Sequence, residues 1–338
     1  MKRIIHVPIE KLEERYSGQW YKWFTNAFEE KRISHITIHP DPLSDKIRDG
    51  SFLDVCGTNH FKAMQLAELC RMAYNRELND DDVIFFVDAW NPAISNLAYI
   101  RDGLGMKFKI AGCLFAGSYD PYDFLAKTGM GYWAKDLENS WFRIVDKYFI
   151  ATEFHKRLIR DSRDVDPKKL IVTGHPTLFD WGGEVTDEKE NIVVFPHRLD
   201  SEKHPELFDK LRGVIPRYSE EKWEFIKTKD VTKTKQEYFE LLERAKISVS
   251  FADQETWGFA MIESVFAGCL PLVPDKLSYA EMYDPVFKYT GLADAQSKLG
   301  AMIYKYDSYL PHLKENRKRL LDWGKNSLDH IITELVKW

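Results

Sequence analysis

The sequence predicts an α/β protein made of two Rossmann-like domains facing a cleft. Three observations lead there. Short apolar runs alternate with amphipathic stretches along most of the chain, the mark of repeated βα units. The alternation breaks once, over the acidic stretch 180–190 with Gly182 and Gly183, and starts again at Asn191. A length of 338 residues suits one large or two medium domains. The expected boundaries are 1–180 for a first domain, 191–310 for a second, and 311–338 for terminal helices.

Composition narrows the classes. A net charge of -5 argues against a surface that captures nucleic acid by bulk charge, although a local basic groove fits within such a total. Ten Trp and sixteen Tyr serve cores first, and also stack on sugars and bases. Cys56, Cys70, Cys113 and Cys269 form no C-x-x-C pair, so they are expected as small buried hydrophobes in a reducing cytoplasm, with no zinc site and no disulfides. No apolar run is long enough to span a bilayer, and the N-terminus lacks a signal-peptide core. A cytoplasmic protein without a membrane partner is expected.

In the first half, Arg3 to Ile9 reads as a buried strand, Lys11 to Trp20 as a polar loop, Tyr21 to Lys31 as a helix and His35 to Ile38 as a strand. Gly18 in that loop lets backbone approach a ligand at the carboxyl end of the strand; a plain loop glycine is the alternative. Asn59 to Glu77 has a helical apolar stripe. Val83 to Val87 is a strand buried on both faces, followed by Trp90 and by a helix opened at Asn91-Pro92. Phe108 to Cys113 is the next strand, and the polar turn A-G-S-Y-D-P-Y-D-F-L follows it. Lys147 to Ala151 and Leu170 to Thr173 complete the strands. His155 is read as a polar helix-start histidine rather than a cleft group. Tyr16, Trp20, Trp90, Ser118, Tyr119, Asp120 and Tyr122 lie at or near carboxyl ends of strands, where an acceptor would dock and aromatic faces could stack on a base. A role in the core is the alternative for the aromatics.

In the second half, Ile192 to Phe195 is a strand followed by P-H-R-L-D-S-E-K. Two fixed cations there, Arg198 and Lys203, can neutralise a diphosphate, or can belong to a solvated loop. Trp223 to Thr228 is a strand leading into K-T-K-D-V-T-K-T-K, whose Lys227, Lys229, Lys233 and Lys235 form a solvated face or touch a nucleic-acid backbone. Gln236 to Ala245 is amphipathic. Lys246 to Tyr283 then reads as strand, polar loop, helix, strand, polar loop, and Leu310 to Trp338 as one or two helices. Gly258 sits where the helix over Phe259 to Phe266 begins. N–H groups of Trp257, Gly258 and Phe259 at that start can face an anion. Glu255 beside it can accept from sugar hydroxyls, and Glu263, two turns on, from a ribose.

At these residues the chain resembles a known family. E-T-W-G-F-A-M-I-E resembles the E-x7-E signature of retaining GT-B glycosyltransferases. The continuation A-G-C-L-P-L-V-P-D-K-L-S-Y-A-E-M is similar to two narrower groups: the tRNA-queuosine mannosyltransferase, and tailed-phage glycosyltransferases that decorate hydroxymethylated DNA bases. The A-G-S-Y-D-P segment also resembles the phage group. The resemblance implies a GT-B fold whose last helix crosses back to the first domain. It also implies transfer, with retention, from a nucleotide-sugar donor, UDP-linked, without a metal or other cofactor. Arg198 and Lys203 match the family's two basic positions on the diphosphate, and Glu255 and Glu263 match its sugar and ribose glutamates. The catalytic set so implied is Arg198, Lys203 and Glu255. Many relatives carry a histidine near the end of the strand that matches Phe108 to Cys113; here Phe115 is the neighbouring residue, so that role is not carried over. The expected acceptor is a hydroxyl on a modified nucleic-acid base, with hydroxymethylpyrimidine in DNA placed ahead of tRNA queuosine or a glycan. The rival classes are a nucleotide-sugar epimerase, which would release free epimerised donor, and a non-catalytic DNA-binding protein, which would need the basic or helix-turn-helix surface that this sequence lacks.

Overall fold

The computed structural model describes residues 2–11, 16–43, 54–178, 189–217 and 221–338. The predicted linker over 180–190 therefore lies almost wholly outside the described residues. Internal contacts divide the chain into two compact units, Met1–Pro176 with Asn326–Trp338, and Thr177–Lys325.

The first unit is built on a six-stranded sheet. Its strands are β1 (Ile4–Val7), β2 (His35–Thr37), β3 (Val83–Phe86), β4 (Lys109–Cys113), β5 (Lys147–Ile150) and β6 (Leu170–Val172), in the order β2-β1-β3-β4-β5-β6. Every pairing is parallel. Parallel neighbours need crossover helices on both faces, which is why Val83–Phe86 is apolar throughout and fully buried. The helix Tyr16–Glu30 starts five residues before the predicted one, so Gly18 and Trp20 are helical and the polar loop over 16–20 is corrected. Trp20, Phe24 and Phe28 form its buried stripe at i, i+4, i+8, a periodicity that outweighs the polar Ser17, Gly18 and Gln19. The helix Val55–Tyr74 begins where the Asp54 carboxylate accepts from the Gly57 N–H.

The second unit has a five-stranded sheet: β7 (Glu190–Phe195), β8 (Glu224–Lys227), β9 (Ala245–Val249), β10 (Leu270–Pro274) and β11 (Lys288–Tyr289), in the order β11-β10-β9-β7-β8. It too is parallel throughout. From β7 the chain moves one way to β8, then returns across β7 to place β9, β10 and β11 on its other side. The switch point therefore lies between β7 and β9, where their following loops diverge and leave a crevice at the carboxyl edge. Ile192, Val194, Leu241, Leu242 and Ala245 pack beside Cys269 in one buried cluster of this unit. The last helix, Tyr306–Val336, is a single element rather than two.

Candidate functional site

All strands of the second sheet run the same way, so the segments after β7, β9 and β10 leave it at one edge, as neighbours. After β7 come Pro196, His197 and Arg198, then a tight turn, Ser201–Lys203. After β9 the chain runs through Glu255 to Gly258, where the helix Phe259–Phe266 starts. Gly258 has φ +78°, and a Cβ there would lie 2.7 Å from the Tyr279 ring, so the position requires glycine on two grounds. Its carbonyl accepts from Met261 and Ile262 N–H, which sets the first turn and leaves the positive end of the helix at this edge.

Strand adjacency brings Lys203 to Glu255. The Lys203 ammonium donates to Glu255 Oε1 at 2.9 Å and to the Gln254 carbonyl at 2.5 Å. Lys203 is only 5% exposed, so the solvated-loop alternative does not hold for it. His197 lies under the pair, with Nδ1 3.8 Å from Glu255 Oε1 and Nε2 without a hydrogen-bond partner among the described residues. Burial, reinforced by the Lys203 and Arg198 charges, holds its pKa well below the usual imidazole range, so the ring is neutral. Arg198 is half-exposed and turns to other carboxylates, 2.7 Å from Asp200 and 3.9 Å from Glu202. The two cations share a segment but hold different partners.

The two glutamates also differ. The Glu263 carboxylate accepts from the Tyr238 hydroxyl at 3.0 Å. Burial pushes its pKa up to about 7, against the opposing pull of Lys235 and of the Tyr238 hydrogen bond. Trp257 is a core side chain, 1% exposed, with its indole N–H on Thr177 Oγ1 at 3.1 Å and its ring edge-on to Trp323. Its side chain is therefore structural. Phe259 is half-buried at the first helical position.

No family model matches the chain. A tRNA-queuosine alpha-mannosyltransferase of Drosophila melanogaster is 34% identical over 122 residues, 30% of this chain and 32% of the relative, so the match spans about a third of that protein. Among solved structures, sucrose-phosphate synthase from Thermosynechococcus elongatus aligns with TM-score 0.68 at 11% identity over 99% of this chain and 98% of that one. A UDP-forming α,α-trehalose-phosphate synthase from Burkholderia vietnamiensis gives 0.64 at 12% identity, over 99% and 98%. A lipopolysaccharide outer core galactosyltransferase gives 0.62 at 13%, over 99% and 100%. The fold is GT-B.

In the first unit of this GT-B chain, the acceptor candidates are mostly framework. Trp20 is fully buried against Phe115, with ring centroids 4.8 Å apart, and against His175. Tyr119 is 4% exposed, with its hydroxyl 2.8 Å from His155 Nε2. Neither presents a face for a base to stack on, which corrects that expectation for both. His155 lies in the first turn of the helix Glu153–Ser162, as expected, but it is fully buried, and burial pushes its pKa down to about 3. Ser118 and Trp90 are tied to one buried carboxylate. Glu138 accepts from Ser118 N–H at 2.7 Å, Ser118 Oγ at 2.8 Å, the Trp90 indole at 3.1 Å and Arg163 Nε at 2.8 Å. Asp120 is buried and accepts from the Tyr122 N–H. Tyr122 itself is 43% exposed. Tyr16 opens the first helix, and Gly18 follows inside it, in the other unit from Arg198 and Lys203.

Lys227 is ion-paired with Asp209 at 2.6 Å, so it is not a solvated lysine awaiting a phosphate. Cys113 and Cys269 are buried, but Cys56 and Cys70 are exposed on the outer face of the helix Val55–Tyr74, contrary to expectation. Among the described residues no group of three or more His, Cys, Asp or Glu is placed to hold a metal ion, and no helix is long and apolar enough to cross a membrane. Sequence reasoning missed His197, Tyr238, His204 and Asp253. Only the P-H-R sequence after β7 hinted at His197; the others are joined by strand order, which their spacing does not reveal.

Proposed function

We propose that this chain is a nucleotide-sugar-dependent glycosyltransferase. The observation that carries the reading is the pairing of the buried Lys203 with the partly buried Glu255 beside the N-terminus of the helix Phe259–Phe266, at the switch point of a parallel sheet. A fixed ammonium, a neighbouring arginine and a helix N-terminus offer positive charge to a leaving diphosphate. In this reading Arg198, Lys203 and the N–H groups of Trp257 to Phe259 hold that diphosphate, so no metal is needed to neutralise it. Glu255 accepts from the donor sugar while Lys203 fixes its orientation. Glu263 takes the ribose hydroxyls, and the neutral His197 supplies a hydrogen-bonding edge below Glu255. Attack on the face from which the diphosphate departs gives retention. A UDP-linked donor is supported by the UDP-forming activity named for one structural neighbour.

The acceptor we propose is a hydroxyl on a modified nucleic-acid base. The local likeness to a tRNA-queuosine mannosyltransferase supports this class and brings tRNA level with DNA. Hydroxymethylpyrimidine in DNA rests on the resemblance of the A-G-C-L-P-L-V-P and A-G-S-Y-D-P segments alone. The test is a screen of UDP- and GDP-sugars against queuosine-containing tRNA and hydroxymethylated DNA, read by mass spectrometry. Transfer to either polymer, weakening steeply as salt rises, is expected. Transfer only to small glycans removes the nucleic-acid part. Donor epimerised without transfer removes the transferase itself.

A further inference from the structure

His204 stands out in the site segment that follows β7. Its backbone is left-handed, φ 55° and ψ 55°, and Pro205 follows it. A side chain with a Cβ is costly there, and a residue before proline is pushed toward extended backbone. Such a conformation persists only where surrounding contacts hold it. Two side chains hold it here. Nε2 lies 2.6 Å from Asp253 Oδ2, and Nδ1 lies 2.8 Å from Glu206 Oε1. Both partners are carboxylates, so both ring nitrogens donate when the ring is an imidazolium.

Asp253 is itself tied on two further sides. Its other oxygen accepts from Lys276 in the segment after β10, and its N–H donates to the Glu202 carbonyl at 2.8 Å. His204 adjoins Lys203, and Asp253 lies two residues before Glu255. The same two segments are thus joined by two charged rungs, Lys203 to Glu255 and His204 to Asp253.

We propose that His204 is a positioning residue, whose charged ring holds Asp253 and thereby fixes the Glu255 segment against the turn that carries Lys203. The inference rests on the reading of Lys203 and Glu255 as donor-binding groups. His204 touches neither, and acts through the backbone between.

The device titrates. The charged and titratable groups facing it are Asp253 from the segment after β9, Glu206 from its own helix, Lys276 beyond Asp253 and Lys210 beyond Glu206. The hydrogen bond to Asp253, with help from Glu206 and against some burial, raises the imidazole pKa above its ordinary 6.5. A raised pKa means that the rung is charged, with both ring nitrogens donating, below the ordinary imidazole range, and that its charge and one of the two donors are lost as pH rises through the raised value. Donor affinity should fall on that alkaline limb.

The test uses the full chain with UDP and GDP as probes, titrated by calorimetry across about pH 5 to 9. His204 ring shifts are followed by NMR, and hydrogen exchange is followed at residues 253–255. His204→Gly suits the left-handed backbone and should fold at least as well as the parent. It should lose about tenfold in nucleotide affinity at the acid end, lose the alkaline limb, and exchange faster at 253–255. Glu206→Gln leaves the rung in place and should move the limb to lower pH with unchanged affinity at the acid end, a shift that a merely structural histidine does not produce. Unchanged exchange in His204→Gly, or a limb unmoved in Glu206→Gln, overturns the proposal. Lys203→Met separates the two readings, because Lys203 is the group assigned to the diphosphate that UDP and GDP carry. If it binds both like the parent, the donor assignment fails, and exchange at 253–255 with the ring titration still decides the role of His204.

Discussion

Lys203, which the proposed function places on the donor diphosphate, is also held in a structural ion pair, and its removal has a calculable cost. Lys203→Met keeps most of the side-chain volume and deletes the ammonium. Glu255 then loses its 2.9 Å partner and Gln254 O its 2.5 Å donor, beside the fully buried ring of His197. Stranding one member of a buried pair costs about 3–5 kcal/mol. The Glu255 side chain keeps 18% exposure, so water relieves part of that penalty and about 3 kcal/mol is the expected loss. For a unit the size of Thr177–Lys325 that corresponds to a Tm lower by about 6–12 °C. Turnover should fall roughly 100-fold as well, since a charge-stabilising donor is lost. The assay is a double-mutant cycle with Glu255→Gln, read by urea denaturation and by UDP titration. The double variant should be closer to the parent in stability than Lys203→Met is, because no lone charge remains. Arg198→Ala is the control. Its side chain is 39% exposed and its pair with Asp200 lies at the surface, so stability should change by less than about 1 kcal/mol while turnover falls. A Lys203→Met protein as stable as the parent would refute the burial argument; full activity in both cation variants would remove the diphosphate assignment.

Gly258→Ala should destabilise the second unit by about 2–3 kcal/mol, from the left-handed backbone and from a Cβ 2.7 Å from the buried Tyr279 ring, and should weaken UDP binding; a denaturation curve matching the parent's counts against it. Glu263 has a folded pKa of about 7 against an ordinary 4.5, so the folded state holds a proton that the unfolded chain has released, and stability falls as pH rises through that window, by at most about 3 kcal/mol. Glu263→Gln should flatten the dependence, which a denaturation midpoint measured against pH will detect. Glu138→Ala leaves the 5%-exposed Arg163 guanidinium without its carboxylate and frees Ser118 and Trp90, so a loss of about 3–5 kcal/mol is expected by urea denaturation; a loss under about 1 kcal/mol would show the cluster to be loosely held.

Local signals in the sequence determined every strand except β11, and most of the helices. Val83 to Phe86 and Ile192 to Phe195 are apolar without alternation, because both faces of a parallel strand are covered. Gly258 was legible because a helix start after a polar loop needs a residue free to turn. Tertiary structure decided what each polar or aromatic side chain does. Trp20 and Tyr122 were read alike from the sequence, yet one is core and the other surface. Periodicity says where an aromatic sits on an element, whereas exposure depends on what packs across from it. Phe115 and His175 cover Trp20, while Tyr122 is left open. The pairing of Lys203 with Glu255 crosses 52 positions and that of His204 with Asp253 crosses 49, and both follow from β7 lying next to β9. Strand order is a global property, set by which crossovers bury the most apolar surface, and so it is not written in any one stretch of the chain.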